Sequence, residues 1–428
     1  MMNNCHDDIV LNILVRLPVK SIGRYRCVSR YCCRLLTDPR FVKQHLNHIL
    51  GLKKLGLVLS SYYNFHNDIY MIRYDPLSSV SNGLVIMKDP LKSERVTLEM
   101  EVLGYCHGLV CIRPMFMGQV FLWNPCTKEY RKLPLRPIES SSIISYIKYG
   151  FGYDCKMEDY KVVSFVGYKD EHDCEVQVFT LGSNCWRKMN RIPYDLSCND
   201  IVNQVPVNGS HQLTFDGALH WIAKTDSVVA EDSKVMISFD LEKEIFKEIP
   251  LPMGFNERFR PQMCVIGGTL CLLEYKAEVG FEVWQSKDYG GSKCWNKILT
   301  FGRQQLVSPV MNFTPLQILK NGEILSVVRT DVTFHLVLHE RGTCRILEFK
   351  ELETYSVESS VFVESVVSLN SKTYVGHAEK EYFPDVVGFG NNEYWKTKTM
   401  KYWKYMCLFS IFLLGWSLSN LWAKIYYI

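Results

Sequence analysis

A unit that recurs at intervals of roughly 45–60 residues constrains the fold of this chain most strongly. In each copy an alternating strand ends in an aromatic residue, a polar turn follows, and a second aromatic residue stands seven positions after the first. Alternating strands that flank a short polar turn predict a β-hairpin. The clear copies are Trp123–Tyr130, Phe179–Trp186 and Phe239–Phe246, and the looser ones are Trp284–Trp295 with an insertion, His339–Ile346 and a start at Tyr74.

A second element, a glycine followed by an apolar strand, precedes several of these hairpins. It occurs at Gly108, Gly217, Gly268 and Gly322. Such modules are typical of propeller blades, whose two apolar faces are buried only when neighbours stack and the ring closes. We therefore expect an all-β propeller of six or seven blades over residues 55–390. The strand that closes the ring is predicted at Val361–Leu369.

The first fifty residues have helical spacing instead. Ile9, Ile13 and Leu17 recur every four positions, and Pro18 ends this helix. Further helix starts are predicted at Ser21, Ser29 and Asp38-Pro39. Four short helices cannot bury a full core alone. Residues 1–50 are therefore either a helical segment that simply precedes the propeller or an adaptor that completes its core against a partner.

The segment from Asp8 to Leu46 resembles the F-box of plant proteins over its whole length, including Arg16-Leu17-Pro18-Val19-Lys20-Ser21 and Arg26-Cys27-Val28-Ser29. The resemblance implies that its apolar helix faces dock onto an acidic Skp-type linker, which attaches the protein to a cullin. Between Lys20 and Lys54 the chain carries nine basic residues and one acid, which suits an acidic partner. The candidate docking residues are Val10, Leu14, Leu17, Pro18, Val19, Cys27 and Val28.

Two features differ from the F-box pattern. Cys5-His6 stands where the family has Leu-Pro, and Cys32 replaces a tryptophan of the third helix. Truncating a large buried side chain costs on the order of 2–4 kcal/mol. An alternative therefore stays open, in which the propeller is a protein-interaction module with weak or lost ligase coupling.

Residues 100–375 resemble the plant F-box-associated interaction domain. The matching stretches include GYCHGLVC, LWNPCTKEYRKLP, LTFDGALHWIA and FVESVVSLN, in that order. The resemblance implies a kelch-like β-propeller that binds a degradation target, and it extends to the S-locus F-box proteins of pollen. The expected function is that of a substrate-recognition subunit of a Skp-cullin-F-box ubiquitin ligase. We expect the target to bind interblade loops, with residues 195–208, 227–234 and 287–293 as candidates.

No motif points to catalysis. The chain lacks a P-loop, G-x-S-x-G, H-E-x-x-H and a complete G-x-G-x-x-G. We therefore expect no enzyme activity, cofactor or metal, although a propeller enzyme stays an alternative because catalytic groups can converge without a local motif. His45 and His48 are expected at the surface. The net charge of +4 does not indicate nucleic acid binding.

Cysteine usage and the N-terminus concern the compartment. The sixteen cysteines include no C-x-x-C pair, and the first residues lack a secretory pattern, so reduced thiols in the cytoplasm or nucleus are expected.

The C-terminal tail, residues 400–428, falls outside the propeller pattern. Residues 405–423 carry no charge and would span roughly 28 Å as a helix, about the thickness of a bilayer core. Lysines precede this stretch, which would keep the large domain on the cytosolic side. The alternatives are a membrane tail anchor, a tail without selected function, and a helix packed on the propeller.

Overall fold

The computed structural model describes residues 5–369 apart from 53–55, 64–65, 74–81, 88–99, 115–117, 139–142, 170, 172, 198–200, 203–204, 207–211, 226–232, 253–261, 277–279, 288–294, 303–311, 319–322, 330–333, 341–342 and 348–355. The chain begins with four helices: α1 Cys5–Leu14, α2 Val19–Arg26, α3 Arg30–Thr37 and α4 Pro39–Gly51. None of the helices in these ranges is long and apolar enough to cross a membrane. The tail at 400–428 lies outside the described residues.

All the described elements after α4 are strands. The first half comprises β1 Gly56–Tyr63, β2 His66–Arg73, β3 Asn82–Met87, β4 Met100–Cys106, β5 Leu109–Pro114, β6 Phe121–Asn124, β7 Glu129–Lys132, β8 Ile144–Asp154, β9 Asp159–Tyr168, β10 Glu175–Thr180, β11 Cys185–Lys188, β12 Tyr194–Asp195, β13 Ile201–Val202 and β14 Val205–Pro206. The second half comprises β15 Leu213–Phe215, β16 Ala218–Thr225, β17 Ser233–Asp240, β18 Phe246–Ile249, β19 Gln262–Ile266, β20 Thr269–Lys276, β21 Gly280–Ser286, β22 Trp295–Gly302, β23 Asn312–Ile318, β24 Ile324–Arg329, β25 Phe334–Glu340, β26 Thr343–Leu347 and β27 Ser356–Phe362.

All of these strands except β13 and β14, which pair with each other in a separate two-stranded sheet, form six antiparallel blades. Blade 1 is β27-β1-β2-β3, blade 2 is β4–β7, and blade 3 is β8–β11. Blade 4 is β16-β17-β18 with β12 and β15 on its inner edge, blade 5 is β19–β22, and blade 6 is β23–β26. Inner strands of successive blades contact one another around the circle, including β23 with β27 and β27 with β4. The described residues therefore form a closed six-bladed ring, within the predicted range of six or seven.

Two kinds of turn explain the recurring sequence elements. In blade 2 the first and second strands are joined by His107 and Gly108, both with positive φ (52° and 79°). Two-residue turns of this kind match the twist of the flanking strands, which accounts for the glycine at Gly108, Gly217 and Gly268, all with positive φ. Gly322 lies outside the described residues. In the four-residue turns an Asx side chain accepts from backbone N–H groups. Asn124 Oδ1 accepts from Cys126 N at 2.9 Å, and Asp240 Oδ1 accepts from Lys243 N at 2.9 Å.

The seven-residue aromatic spacing is confirmed in three blades. Its paired residues lie directly opposite one another, and the ring of Phe246 is also 6.0 Å from Phe165 of the preceding blade. The aromatic pair therefore packs between blades, as expected. The register pairs are Trp123 with Tyr130, Phe179 with Trp186, and Phe239 with Phe246.

The spacing prediction was wrong in blades 5 and 6. Trp284 lies opposite Lys297, and His339 lies opposite Cys344. Eight residues separate the paired strands in blade 5 and two residues separate them in blade 6, so the strand register differs from that set by the four-residue turns. The start at Tyr74 falls outside the described residues.

The strand that closes the ring lies several residues earlier in the sequence than predicted. Strand β27 begins at Ser356, ends at Phe362, and pairs with β1 from Gly56 to Tyr62. Residues 363–369 are not a strand but a largely buried segment, which we call the closing segment. Asn124 Nδ2 donates to Val367 O at 2.6 Å and to Ser365 O at 3.2 Å. The closing segment thereby fastens the C-terminal side of blade 1 to blade 2.

Candidate functional site

The four helices form a small bundle, and side-chain caps determine where α3 and α4 begin. Ser29 Oγ accepts from Cys32 N at 3.0 Å at the start of α3, and Asp38 Oδ1 accepts from Arg40 N at 2.8 Å at the start of α4. These side chains satisfy N–H groups that a helix leaves open at its first turn. Ile22, Leu36 and Phe41 are buried at the centre of the bundle.

His45 is buried, contrary to the expectation that it lies at the surface. Its Nε2 is 3.0 Å from Leu17 O, and its ring stacks near Phe41. Burial lowers the pKa of His45, although the hydrogen bond to Leu17 acts in the opposite direction. The residue therefore belongs to the packing of the bundle.

Some of the seven candidate linker-binding residues support the bundle itself. Val19 is 7% exposed, and Leu14 and Leu17 are half-buried against the apolar core. Shortening these side chains would disturb the helices as well as any docking face. The other four candidates, Val10, Pro18, Cys27 and Val28, are exposed.

The structure also exposes apolar residues that the candidate set did not include. Ile9 and Ile13 lie on the outer face of α1, and Ile13 is 58% exposed. Val28, in the turn between α2 and α3, is 70% exposed, and Tyr25 and Tyr31 are exposed near it. The fourfold spacing of Ile9 and Ile13 was visible in the sequence. It does not say which apolar side of α1 faces inward, because Leu11, Leu14 and Val15 form a second apolar side.

The same helices also expose basic side chains. The exposed basic residues of α2 to α4 are Lys20, Arg24, Arg30, Arg34, Arg40 and Lys43. Unlike charges on two surfaces speed association and help to set orientation. The helices therefore expose both apolar and basic side chains.

The helices contact one end of the ring, which we call the helical end. Lys43 forms an ion pair with Glu158 in the β8–β9 turn. Phe41 belongs to one apolar cluster with Leu103 and Phe151 of blades 2 and 3. Because both ionic groups are about half exposed, the ion pair contributes at most about 1 kcal/mol, and the apolar contact dominates.

A cavity of about 310 Å³ lies between blades 3 and 4 at the helical end. Asp154 at its wall accepts from Lys161 Nζ at 2.7 Å, and Lys161 also lies 2.9 Å from Glu244. Burial alone would raise the pKa of Asp154, but hydrogen bonds from Lys161 and from backbone amides outweigh burial and lower it. The ion pair between Lys161 and Glu244 therefore links blade 3 to blade 4. Within the described ranges, no cluster of His, Cys, Asp or Glu could hold a metal.

Comparison with known proteins assigns both regions. The family model for the F-box domain matches residues 2–44, and that for the F-box associated beta propeller domain matches residues 66–374. The second match spans well over half of the 428 residues. The chain belongs to the F-box-associated β-propeller family.

Curated relatives of this F-box–propeller protein are plant F-box proteins. The F-box/kelch-repeat protein At3g23880 of Arabidopsis thaliana is 26% identical over 306 residues, which cover 71% of this chain and 81% of the relative. The F-box protein CPR1 of Arabidopsis thaliana is 28% identical over 389 residues, which cover 86% and 91%.

The strand order of the F-box–propeller protein separates the candidate recognition loops. Connectors between blades, and turns between second and third strands, leave at the end opposite the helices, which we call the distal end. Loops 195–208 and 227–234 start from strands at the distal end, whereas 287–293 follows the third strand of blade 5 and belongs to the helical end. Most residues of these loops lie outside the described ranges.

Proposed function

We propose that this F-box–propeller protein is a substrate-recognition subunit of a Skp-cullin-F-box ubiquitin ligase. In this proposal the helices dock the linker, the propeller binds the target protein, and the chain itself performs no chemistry. The observation that carries it is the set of large apolar side chains that the short helices expose, among them Ile13 at 58% and Val28 at 70%. Several exposed apolar side chains on so small a unit are typical of an interaction surface. The site of action would be the cytoplasm or the nucleus.

Isothermal titration of the full chain with a Skp-type linker tests this function. Burying one Ile or Val side chain contributes about 1.5–3 kcal/mol, so Ile13→Ser or Val28→Ser should weaken the linker Kd roughly 10- to 150-fold. Ile245→Ser is the matched control, because Ile245 is an exposed apolar residue of blade 4. It should leave the linker Kd unchanged. No heat of binding from a folded chain at about 10 µM would overturn the receptor proposal.

A second candidate is a propeller interaction module with weak or lost ligase coupling. It is favoured by Cys32, which is half-buried in α3 where the F-box pattern has tryptophan. The same titration separates the two, because this candidate requires linker binding weaker than about 10 µM. Under it, Cys32→Trp should strengthen linker binding by restoring apolar area.

A further inference from the structure

Two buried cysteines of blade 5 lie directly opposite each other. Cys264 in β19 is the register partner of Cys271 in β20, and both are free thiols in this structure. Directly opposite residues of an antiparallel pair point to the same face of the sheet. Both side chains belong to one apolar cluster with Ile324 and Val328 of blade 6. The two thiols therefore meet on the face of blade 5 that packs against blade 6.

The register places the two cysteines within reach of a disulfide. Directly opposite residues of an antiparallel pair have Cα atoms about 4.5–5.5 Å apart, and a disulfide spans Cα distances of about 4.4–6.8 Å. The Cβ atoms of such a pair are about 4.5–5.5 Å apart, whereas a disulfide draws them to about 3.5–4.5 Å. Closing the bond therefore pulls β19 and β20 together, and a disulfide strained in this way is easily reduced again.

The two thiols also interact directly. Cys271 Sγ donates to Thr269 O at 3.5 Å and accepts a hydrogen bond from the Cys264 thiol. The hydrogen bond from Cys264 lowers the pKa of Cys271, whereas burial raises the pKa of Cys264. The pair thus holds one sulfur that deprotonates more easily beside one that stays a thiol. The thiolate is the form of cysteine that reacts with oxidants.

The end of the β19–β20 hairpin gives an oxidant access to the pair. Two register pairs separate the cysteines from the turn at Gly267 and Gly268. Both glycines are exposed, and nothing lies within 4 Å of a Cβ added at Gly268. Fraying of an exposed hairpin end needs far less free energy than global unfolding. A small oxidant can therefore reach the sulfurs while the ring stays folded.

Blade 2 provides an internal comparison. Cys111 and Cys271 stand at equivalent positions, three residues after the turn glycine of their hairpins, and both are fully buried. Gly104, which has no thiol, lies opposite Cys111. Cys106 is only a diagonal neighbour of Cys111, and the roughly 7–8 Å between diagonal neighbours exceeds the reach of a disulfide. Cys111 is thus a buried cysteine in the same setting without a partner.

We propose that Cys264 and Cys271 form a reversible oxidation site, at which hydrogen peroxide converts the two thiols into a cross-strand disulfide. Both S–H bonds and the O–O bond of the peroxide break, one S–S bond forms, and the two thiol protons leave in two molecules of water. The two sulfurs lose two electrons in total, and these electrons reduce the peroxide. Because protein interiors are closely packed, drawing β19 and β20 together disturbs the contacts with Ile324 and Val328 and loosens blade 6.

Thiol mapping of the full chain tests this site. The folded chain is treated with hydrogen peroxide, free thiols are alkylated under denaturing conditions, and tryptic peptides are analysed by mass spectrometry. Trypsin cleaves after Arg258 and Lys276 but not between Arg260 and proline, so one peptide carries both cysteines. A disulfide appears in that peptide as two unalkylated cysteines with the mass of two hydrogen atoms missing. Cys111 is the control within the same chain, and Cys264→Ser is the control variant.

The paired cysteines should be oxidised at least about tenfold faster than Cys111, and dithiothreitol should make both of them alkylatable again. Amides of β24 should exchange about tenfold faster after oxidation of the parent chain, while those of β9 stay unchanged. Cys264→Ser should show neither the disulfide nor the faster exchange.

Three results would overturn the proposal. The first is full alkylation of both cysteines under peroxide that oxidises the exposed Cys185. The second is a disulfide that forms only once circular dichroism shows the loss of the fold. The third is unchanged exchange of the β24 amides after complete oxidation, which would remove the effect on blade 6.

Discussion

Replacing Gly108 with alanine tests how the ring is closed. Gly108 has φ +79°, and a Cβ built there would lie 2.4 Å from Ser365 Oγ and 2.6 Å from Val363 O. Gly268 is a matched control, since it has the same φ of +79° in the equivalent turn of blade 5 but no atom within 4 Å of an added Cβ. The two variants share the backbone strain and differ in contact with the closing segment.

The expected losses of unfolding free energy follow from the backbone strain and from the contact with the closing segment. An L-residue in the left-handed region costs about 1–2 kcal/mol, and this applies to both variants. Overpacking against a fixed neighbour adds typically 1–3 kcal/mol, and this applies to Gly108→Ala alone. We therefore expect Gly108→Ala to lower the free energy of unfolding by about 2–5 kcal/mol, against about 1–2 kcal/mol for Gly268→Ala.

Amide hydrogen exchange should show which part of the ring Gly108→Ala destabilises. The backbone carbonyl of Val363 cannot rotate away as a side chain can, so relief comes from moving the closing segment and breaking its hydrogen bonds to Asn124. Amides of β27 and β1 should then exchange roughly ten to a hundred times faster in Gly108→Ala, while those of β17 stay protected. Equal unfolding free energies for the two variants, or uniform exchange around the ring, would refute this account of closure.

Three further predictions concern other parts of the chain. In urea denaturation, Asn124→Ala should lower the free energy of unfolding by about 2–4 kcal/mol more than Asp240→Ala. The reason is that Asn124→Ala also leaves the buried carbonyls of Ser365 and Val367 without a donor. Equal losses in the two variants would contradict the role of the closing segment. Lys161→Met should lower the free energy of unfolding by about 3–5 kcal/mol at neutral pH, because the buried carboxylate of Asp154 keeps its backbone donors but loses its cation. In the parent chain the pKa of Asp154 is lowered in the folded state, so its carboxylate stabilises the fold above the ordinary carboxyl pKa and loses that contribution as the pH falls through the folded pKa. The difference in unfolding free energy between the parent chain and Lys161→Met should therefore become smaller in acid. A difference that does not change with pH would argue against the ion pair. A soluble reporter fused to residues 396–428 should sediment with membranes if the tail is an anchor, and a wholly soluble reporter removes that hypothesis.

Local sequence signals predicted the blades wherever the turn chemistry was constant. The aromatic pairs at Trp123, Phe179 and Phe239 follow from four-residue turns, and the spacing failed at Trp284 and His339 because their turns differ in length. Periodicity alone gives strand and helix types but not register when a turn changes.

The functional surfaces were harder to predict, because they depend on long-range contacts. Nothing near Asn124 in the sequence indicates that its side chain donates to the distant Val367 O. On α1 both sides are apolar, so the exposed side could be identified only once the bundle was packed. The family resemblance implies a partner for this surface, and the packed helices show which of its apolar residues are exposed.

Assembly with a linker and a cullin tests the central claim most directly. The full chain is mixed with a Skp-type linker and the N-terminal region of a cullin, and the mixture is analysed by size-exclusion chromatography with light scattering. The account predicts one particle with the summed mass of one copy of each, which disappears with Ile13→Ser combined with Val28→Ser. A folded chain that elutes alone, while linker and cullin elute together without it, would contradict the account.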